Sequence, residues 1–238
     1  MRKSLITIVA ALSCTLASAQ IHTTKPAIDY TLTDDLAWIL RYDKDVEAIR
    51  NRDKSVTDFT CDGLFVGSSS ITFWDTLAED FPDMRVVNRG YGGATIRDIL
   101  YNYASIFGKY QPKNIVFYCD NDISGDRKHD VTMGEWYDLY RTFFQKVHAD
   151  YPDARIYALS IKYSGTRVRL RDTQRIMNTL LEEFCRNNDW ITYVDVTTPL
   201  LLPDGTPDNR LYQKDQLHIT REGYTLWTNQ IRKAGLSK

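Results

Sequence analysis

Short apolar runs alternate along the chain with longer segments in which apolar residues recur at helical intervals. The runs have strand length and are rich in β-branched and aromatic residues: 63–67, 85–88, 114–118, 154–161 and 191–196. Segments such as 177–184 and 224–231 between or after them have the spacing of amphipathic helices. The alternation predicts an α/β fold with a parallel sheet covered by helices on both faces, and functional residues on loops at the carboxyl ends of the strands.

The N-terminal residues differ from this pattern. Arg2 and Lys3 precede an apolar stretch that runs to Leu16, and small residues follow at 17–19. This order predicts a signal peptide over residues 1–19 and export to the periplasm or the medium. The apolar stretch is shorter than the ~20 residues of a membrane-spanning helix, so no integral membrane segment is expected after cleavage. Lipid anchoring at Cys14 is less favoured, because the preceding residues form a poor lipobox.

Residues 33–54 combine many charges with apolar residues at helical intervals, which predicts an amphipathic helix before the main fold. We therefore divide the chain into a signal peptide (1–19), an N-terminal helical extension (20–59) and one main domain (60–238). The net charge is −1 and no basic stripe occurs, so neither nucleic acid nor anionic lipid is an expected partner. The cysteines left after cleavage, Cys61, Cys119 and Cys185, are odd in number and lack CxxC spacing, which argues against a disulfide framework or a zinc site.

Two small-residue segments follow predicted strands. Residues 65–72, FVGSSSIT, run from a strand through a serine turn towards a helix, where backbone N–H groups can stabilise negative charge. Residues 88–95, NRGYGGAT, hold glycines that allow a ligand to approach the backbone and free its amides for an oxyanion. Taken alone, each segment is explained at least as well by a structural turn. The second segment fits neither a Walker loop nor GxGxxG.

Two polar segments complete the set of candidates. Asn121, after the third predicted strand, could donate its side-chain amide to an oxyanion. The spacing of Asp215 and His218 allows a turn to bring the carboxylate onto the imidazole, as a nucleophilic serine requires. The acidic residues from 120 to 126 superficially resemble a calcium loop, but its twelfth position would be Val131 rather than Glu, so an EF-hand is not predicted.

In combination and in this order, the segments resemble the four sequence blocks of the SGNH hydrolase superfamily. The matching residues are Gly67-Ser68-Ser69, the glycines around Gly93, Asn121, and Asp215 with His218. Residues 160–162, 204–207 and 218–227 also look like a bacterial GSSS-type subgroup of GDSL-like lipases and acylhydrolases. The likeness covers about residues 60–235. It implies a three-layer α/β/α sandwich with a five-stranded parallel sheet of flavodoxin-like type, and no metal or organic cofactor.

Position by position, the resemblance implies Ser69 as the nucleophile, His218 as the general base and Asp215 as its orienting partner. It implies an oxyanion hole made by the N–H groups of Ser69 and Gly93 and by the Asn121 side chain. The implied function is a serine esterase that hydrolyses short acyl esters, above all acetyl, on a small molecule or polysaccharide. Two alternatives remain open: an acylhydrolase of lysophospholipase or thioesterase type, and a non-catalytic carbohydrate-binding domain.

Three residues depart from the family pattern. Ser68 replaces the Asp of the GDS motif, Cys119 stands where the third block usually has Gly, and Tyr163 where the subgroup often has Pro. A side chain at Cys119, beside the oxyanion site, could narrow that site, and this departure is the best support for the non-catalytic alternative. Ser68 and Ser70 are rival nucleophiles to Ser69.

Overall fold

The computed structural model describes residues 40–126 and 129–238, and these are built around one parallel sheet. Its strands are β1 Thr60–Gly67, β2 Val86–Asn88, β3 Gln111–Tyr118, β4 Arg155–Leu159 and β5 Ile191–Val194. They lie in the order β2-β1-β3-β4-β5, and every neighbouring pair is parallel. This is the flavodoxin-like order, so the predicted fold class is confirmed.

Helices cover both faces of the sheet. The α-helices are α1 Asp43–Asp53, α2 Ser69–Thr72, α3 Leu77–Asp80, α4 Ile96–Tyr101, α5 Tyr103–Phe107, α6 Met133–Asp150, α7 Arg171–Arg186 and α8 Arg221–Lys233. Short 3-10 turns occur at Val168–Leu170, Thr198–Leu200 and Asn209–Leu211. Helices α1 and α4 to α7 supply buried residues to one core cluster, and α2, α3 and α8 supply them to the other. The three layers of the predicted sandwich are therefore present.

Alternate residues of the central strands enter the two cores, as the two-residue period of a strand requires. In β1, Leu64 and Val66 belong to the cluster under α4 to α7, whereas Phe65 belongs to the cluster under α8. A strand that is buried on both faces needs apolar residues at successive positions. This explains why the sequence shows continuous apolar runs rather than alternation.

The predicted strands are all present, with shifted ends. β3 begins at Gln111, three residues before the predicted run, because its polar first residues still pair with the start of β1. β4 ends at Leu159, where side-chain bonds replace the ladder: Ser160 Oγ accepts the N–H groups of Val196 and Thr197, each at 3.0 Å. The chain leaves the sheet at that point, at the edge where the candidate site lies.

The predicted N-terminal helix is observed as α1, over Asp43–Asp53, with Val46 and Ile49 buried. The predicted signal peptide, Cys14 and the first residues of the predicted helix lie outside the described residues. Within the described ranges, no helix is both long and apolar enough to cross a membrane. Cys61, Cys119 and Cys185 are free thiols in the interior.

Candidate active site

The junction between β1 and α2 places Ser69 at the carboxyl edge of the sheet. Gly67 ends β1 with φ 154°, and a Cβ there would lie 1.9 Å from the Tyr118 carbonyl oxygen. Only glycine therefore allows β1 and β3 to stay this close while the chain turns. The Ser68 N–H donates to the same Tyr118 carbonyl at 3.0 Å, and α2 starts at the next residue.

The three consecutive serines have different surroundings. Ser68 is fully buried and its hydroxyl points to Asp120, at 3.4 Å. Ser70 is fully buried too, and its Oγ accepts a bond from Lys162 Nζ at 3.0 Å. Ser69 is half-buried, with Oγ 3.0 Å from His218 Nε2. Of the three hydroxyls, only that of Ser69 is hydrogen-bonded to the imidazole.

The loop before α8 brings Asp215 onto His218. Asp215 Oδ1 accepts the N–H groups of Leu217 and His218, at 2.9 and 3.0 Å, and Oδ2 lies 2.6 Å from His218 Nδ1. Gln216 closes this turn with φ 53°. Thr220 caps α8, as its position before the terminal amphipathic segment predicts.

The carboxylate also fixes the protonation pattern of this pair. Partial burial would raise the pKa of Asp215, but bonds from the Leu217 N–H and from His218 lower it to about 2. An ionised carboxylate accepts a hydrogen bond from Nδ1–H and so leaves Nε2 as the nitrogen that can accept a proton from Ser69. The three groups can therefore pass a proton from the serine hydroxyl to the imidazole.

Hydrogen bonds orient the Asn121 side chain. Its Oδ1 accepts from Arg167 Nη2 at 2.7 Å, and its Nδ2 donates to the Ala94 carbonyl at 3.1 Å. Arg is donor-only and a carbonyl acceptor-only, so these two partners allow just one orientation of the amide. Gly93, next to Ala94, is exposed and has φ 76°. The structure thus brings together the glycine segment and Asn121, two of the three elements that the resemblance assigns to an oxyanion hole.

A buried charge cluster lies beside these loops. Lys162 Nζ is 3.0 Å and Arg167 Nη1 2.8 Å from Asp120 Oδ2. Burial alone would raise the pKa of Asp120, but the two cations hold it well below its usual range. Two buried cations face one carboxylate within this cluster. Since Arg167 also bonds Asn121, the cluster is directly linked to the candidate oxyanion hole.

Sequence reasoning did not identify Arg167, and it quoted Lys162 only as part of the resemblance. Neither residue has a spacing signal, because both lie in the irregular segment after β4 and act on residues 40 or more positions away. A charged residue next to an apolar strand end was the one available hint. Phe73 was missed as well: its half-exposed ring packs edge-on against His218, with centroids 4.8 Å apart.

Cys119 does not stand in the open part of the site. Its side chain is fully buried in the core, and Sγ lies 3.1 Å from the Ala94 carbonyl. Burial raises the pKa of this thiol well above its usual value, so it stays a neutral donor below the loop. The Cys119 side chain therefore does not project into the site and does not narrow it.

The acidic residues between 120 and 126 do not converge as a calcium loop would need. Asp120 is paired with cations, and Asp122 accepts the Ile96 N–H with both oxygens at 3.0 Å. Across the described residues, no three His, Cys, Asp or Glu side chains are grouped so that they could hold a metal ion.

The profile of the GDSL-like Lipase/Acylhydrolase family matches residues 55–226. The chain belongs to this family. The match covers the two small-residue segments, Asn121 and the Asp215–His218 turn, and it begins after α1. The assignment to a GSSS-type subgroup stays a prediction.

Solved structures share the fold at low identity. A Streptococcus pneumonia protein, provisionally described as a platelet activating factor, has a TM-score of 0.72 and 21% identity, covering 83% of this chain and 94% of its own. A GDSL-like lipase from Bacteroides thetaiotaomicron VPI-5482 has a TM-score of 0.62 and 18% identity, covering 82% and 96%. An acetyl xylan esterase from Geobacillus stearothermophilus has a TM-score of 0.58 and 16% identity, and the similarity covers 74% of this chain and 96% of that protein.

One similar protein is described as an enzyme of another class, a cytidylyltransferase. The N-acylneuraminate cytidylyltransferase of Escherichia coli O18:K1:H7 (strain RS218 / NMEC) is 29% identical over 188 residues, which are 76% of this chain and 41% of the relative. The chain spans about two fifths of that protein's length.

Proposed function

We propose that this acylhydrolase is a serine esterase in which Ser69, His218 and Asp215 form the catalytic triad. The observation that carries the proposal is the continuous chain of hydrogen bonds from Ser69 Oγ to His218 Nε2, at 3.0 Å, and from His218 Nδ1 to Asp215, at 2.6 Å. The burial of Ser68 and Ser70 supports Ser69 as the nucleophile, because a substrate carbonyl must reach the attacking oxygen.

The mechanism follows from this order of groups. His218 Nε2 takes the proton as Ser69 Oγ attacks the ester carbonyl, and ionised Asp215 stabilises the imidazolium that forms. Backbone N–H groups of Ser69 and Gly93 and Asn121 Nδ2 stabilise the tetrahedral oxyanion. Imidazolium then protonates the departing alkoxide, which leaves an acyl-Ser69 ester. Water, deprotonated by His218, then attacks that ester, and the imidazolium returns the proton to Ser69 Oγ as the acid is released.

We infer that the substrates are short acyl esters, acetyl above all, on a polysaccharide or a smaller glycan. The predicted export favours an extracellular or periplasmic ester, and the acetyl xylan esterase with the same fold is an example of such chemistry. The position of Phe73 also supports a glycan alcohol. Its exposed aromatic ring lies beside His218, the residue that protonates the departing alcohol. A ring there can pack against the face of a sugar.

The test compares the mature protein with its Ser69→Ala variant on p-nitrophenyl acetate, butyrate and octanoate, and on an acetylated polysaccharide with acetate release as the readout. We expect activity that falls with acyl length and drops by several orders of magnitude in the variant. Ser55→Ala, at an exposed position outside the site, is the matched control. A folded protein without activity contradicts the proposal and favours the non-catalytic binding domain. Activity that is unchanged by Ser69→Ala contradicts the assignment of Ser69 as the nucleophile.

A further inference from the structure

Helix α1 precedes the region matched by the family profile, yet it holds the glycine-containing segment 88–95, which we call the glycine block. At the C-terminal end of α1, Asp53 accepts two bonds from Arg89, at 2.6 and 2.9 Å. The Arg89 side chain is 2% exposed, so this ion pair is largely withdrawn from water. Paired, bidentate contacts of this kind fix the relative position of two segments.

The residue before α1 reaches the other end of the block. The Tyr42 hydroxyl donates to the Gly93 carbonyl at 2.6 Å, and its ring packs edge-on against Tyr91 with centroids 5.2 Å apart. A Cβ on Gly93 would lie 2.7 Å from the Tyr42 hydroxyl oxygen, so the contact needs glycine there. Burial raises the pKa of Tyr42 to about 12, and the phenol therefore stays a donor at any pH suited to an ester assay.

The block depends on such support because its middle is open. A Cβ on Gly92 would meet nothing within 4 Å, and Gly93 itself is exposed with φ 76°. Glycines in this setting have several backbone conformations of similar energy. The following Ala94 carbonyl is held by Asn121 and Cys119, whereas the Gly93 carbonyl is held by Tyr42. The Ala94 N–H, which is in the same peptide unit as the Gly93 carbonyl, donates to the Tyr91 carbonyl at 3.4 Å. The bonds made by Tyr42 and by Tyr91 therefore hold the peptide units on either side of the Gly92–Gly93 peptide, which carries the Gly93 N–H.

We propose that Tyr42 is a positioning residue of the oxyanion hole and that α1 braces the glycine block through Tyr42 and Asp53. The inference rests on the proposed esterase function, in which the Gly93 N–H donates to the oxyanion. It extends the functional unit of this chain to a segment that lies before the family region. Tyr42 acts through Gly93 and does not itself touch the substrate.

The experiment compares Tyr42→Phe with Tyr101→Phe, which removes an exposed hydroxyl. Losing one hydrogen bond that orients a transition-state donor should lower kcat by about 2- to 13-fold with KM nearly unchanged. Inhibition by a trifluoromethyl ketone, which forms an oxyanion on Ser69, should weaken by a similar factor. Tyr101→Phe should match the parent protein in both measurements. A kcat and inhibitor affinity equal to those of the parent in Tyr42→Phe overturn the inference while the esterase stands.

Amide hydrogen exchange separates this inference from the proposed function. We expect faster exchange across residues 88–95 in Tyr42→Phe than in the parent or in Tyr101→Phe, with the midpoint of thermal unfolding changed by only a few degrees. If the parent shows no Ser69-dependent hydrolysis, the proposed function fails, and the exchange result still decides whether α1 braces the block. Unchanged exchange there overturns the brace whatever the activity.

Discussion

Arg167 is the residue whose substitution tests most directly how the oxyanion side of the site is held. Arg167→Met keeps a long apolar side chain and removes every donor. It deletes the bonds to the Asp120 carbonyl and to Asn121 Oδ1, both 2.7 Å, and the ion pair with the Asp120 carboxylate at 2.8 Å. Lys162 remains 3.0 Å from that carboxylate, so Asp120 keeps one cation.

The contacts set the expected size of the two effects. Breaking a buried ion pair costs ~3 to 5 kcal/mol of unfolding free energy, and we expect about 3 kcal/mol here because Lys162 still pairs with Asp120. Without Arg167 the Asn121 amide can flip and present its oxygen to the oxyanion. Complete loss of such a donor costs about 10²- to 10³-fold in kcat, so a partly misoriented amide should cost about 10- to 100-fold.

A double-mutant cycle provides the assay. The Ser69-dependent kcat for the acetate ester is measured in Arg167→Met, Asn121→Ala and the double variant, with urea unfolding of each. If Arg167 acts through Asn121, the double variant is no slower than Asn121→Ala. Arg169→Met, at an exposed position in the same segment, is the control and should leave both quantities unchanged. Multiplicative losses in the double variant would refute the reasoning.

Two further substitutions address the carboxylates around the site. Asp215→Asn should lower kcat by about 10²- to 10⁴-fold by favouring the wrong imidazole tautomer, nearer the lower limit because 47% of the Asp215 side chain is exposed to water; an unchanged kcat would exclude its orienting role. Burial raises the pKa of Asp122 to about 6, so the native state holds a proton that the unfolded chain releases near 3.8. The free energy of unfolding contributed by Asp122 is fully present below pH ~4 and is lost as the pH rises from ~4 to ~6. The loss is no more than ~1.4 kcal/mol per pH unit. Urea unfolding between pH 4 and 7 should show this slope removed in Asp122→Asn and kept in Asp153→Asn; a slope that persists in Asp122→Asn would assign the proton elsewhere.

The sheet could be predicted because burial on both faces leaves a strong record in the sequence. Each strand needs consecutive apolar residues, and each predicted run corresponds to one strand. Ser69, Asp215 and His218 could be proposed because their local contexts, a strand-to-helix turn and a three-residue spacing, are short-range features. Their contact across 149 positions came only from the resemblance, and the structure supplies the 3.0 Å distance.

The supporting contacts could not be predicted for the opposite reason. Tyr42 meets Gly93 across 51 positions and Arg167 meets Asn121 across 46, and neither pair has a periodicity or a fixed spacing. The direction of the Cys119 side chain could not be predicted from the sequence either. One residue of register decides which face of a strand a side chain occupies, and the end of β3 at Tyr118 is where that register stops applying.

The two halves of the site also differ in how they are held. The Asp215 carboxylate is oriented within its own turn, because it accepts the N–H groups of Leu217 and His218. The bonds that reach this turn from Thr166 are made to backbone carbonyls and not to the carboxylate. The oxyanion side instead depends on distant segments: Tyr42 before the family region and Arg167 after β4. Changes far from the family motifs should therefore impair oxyanion stabilisation before they impair proton transfer. In such variants kcat should fall while the pH dependence of the reaction keeps its shape.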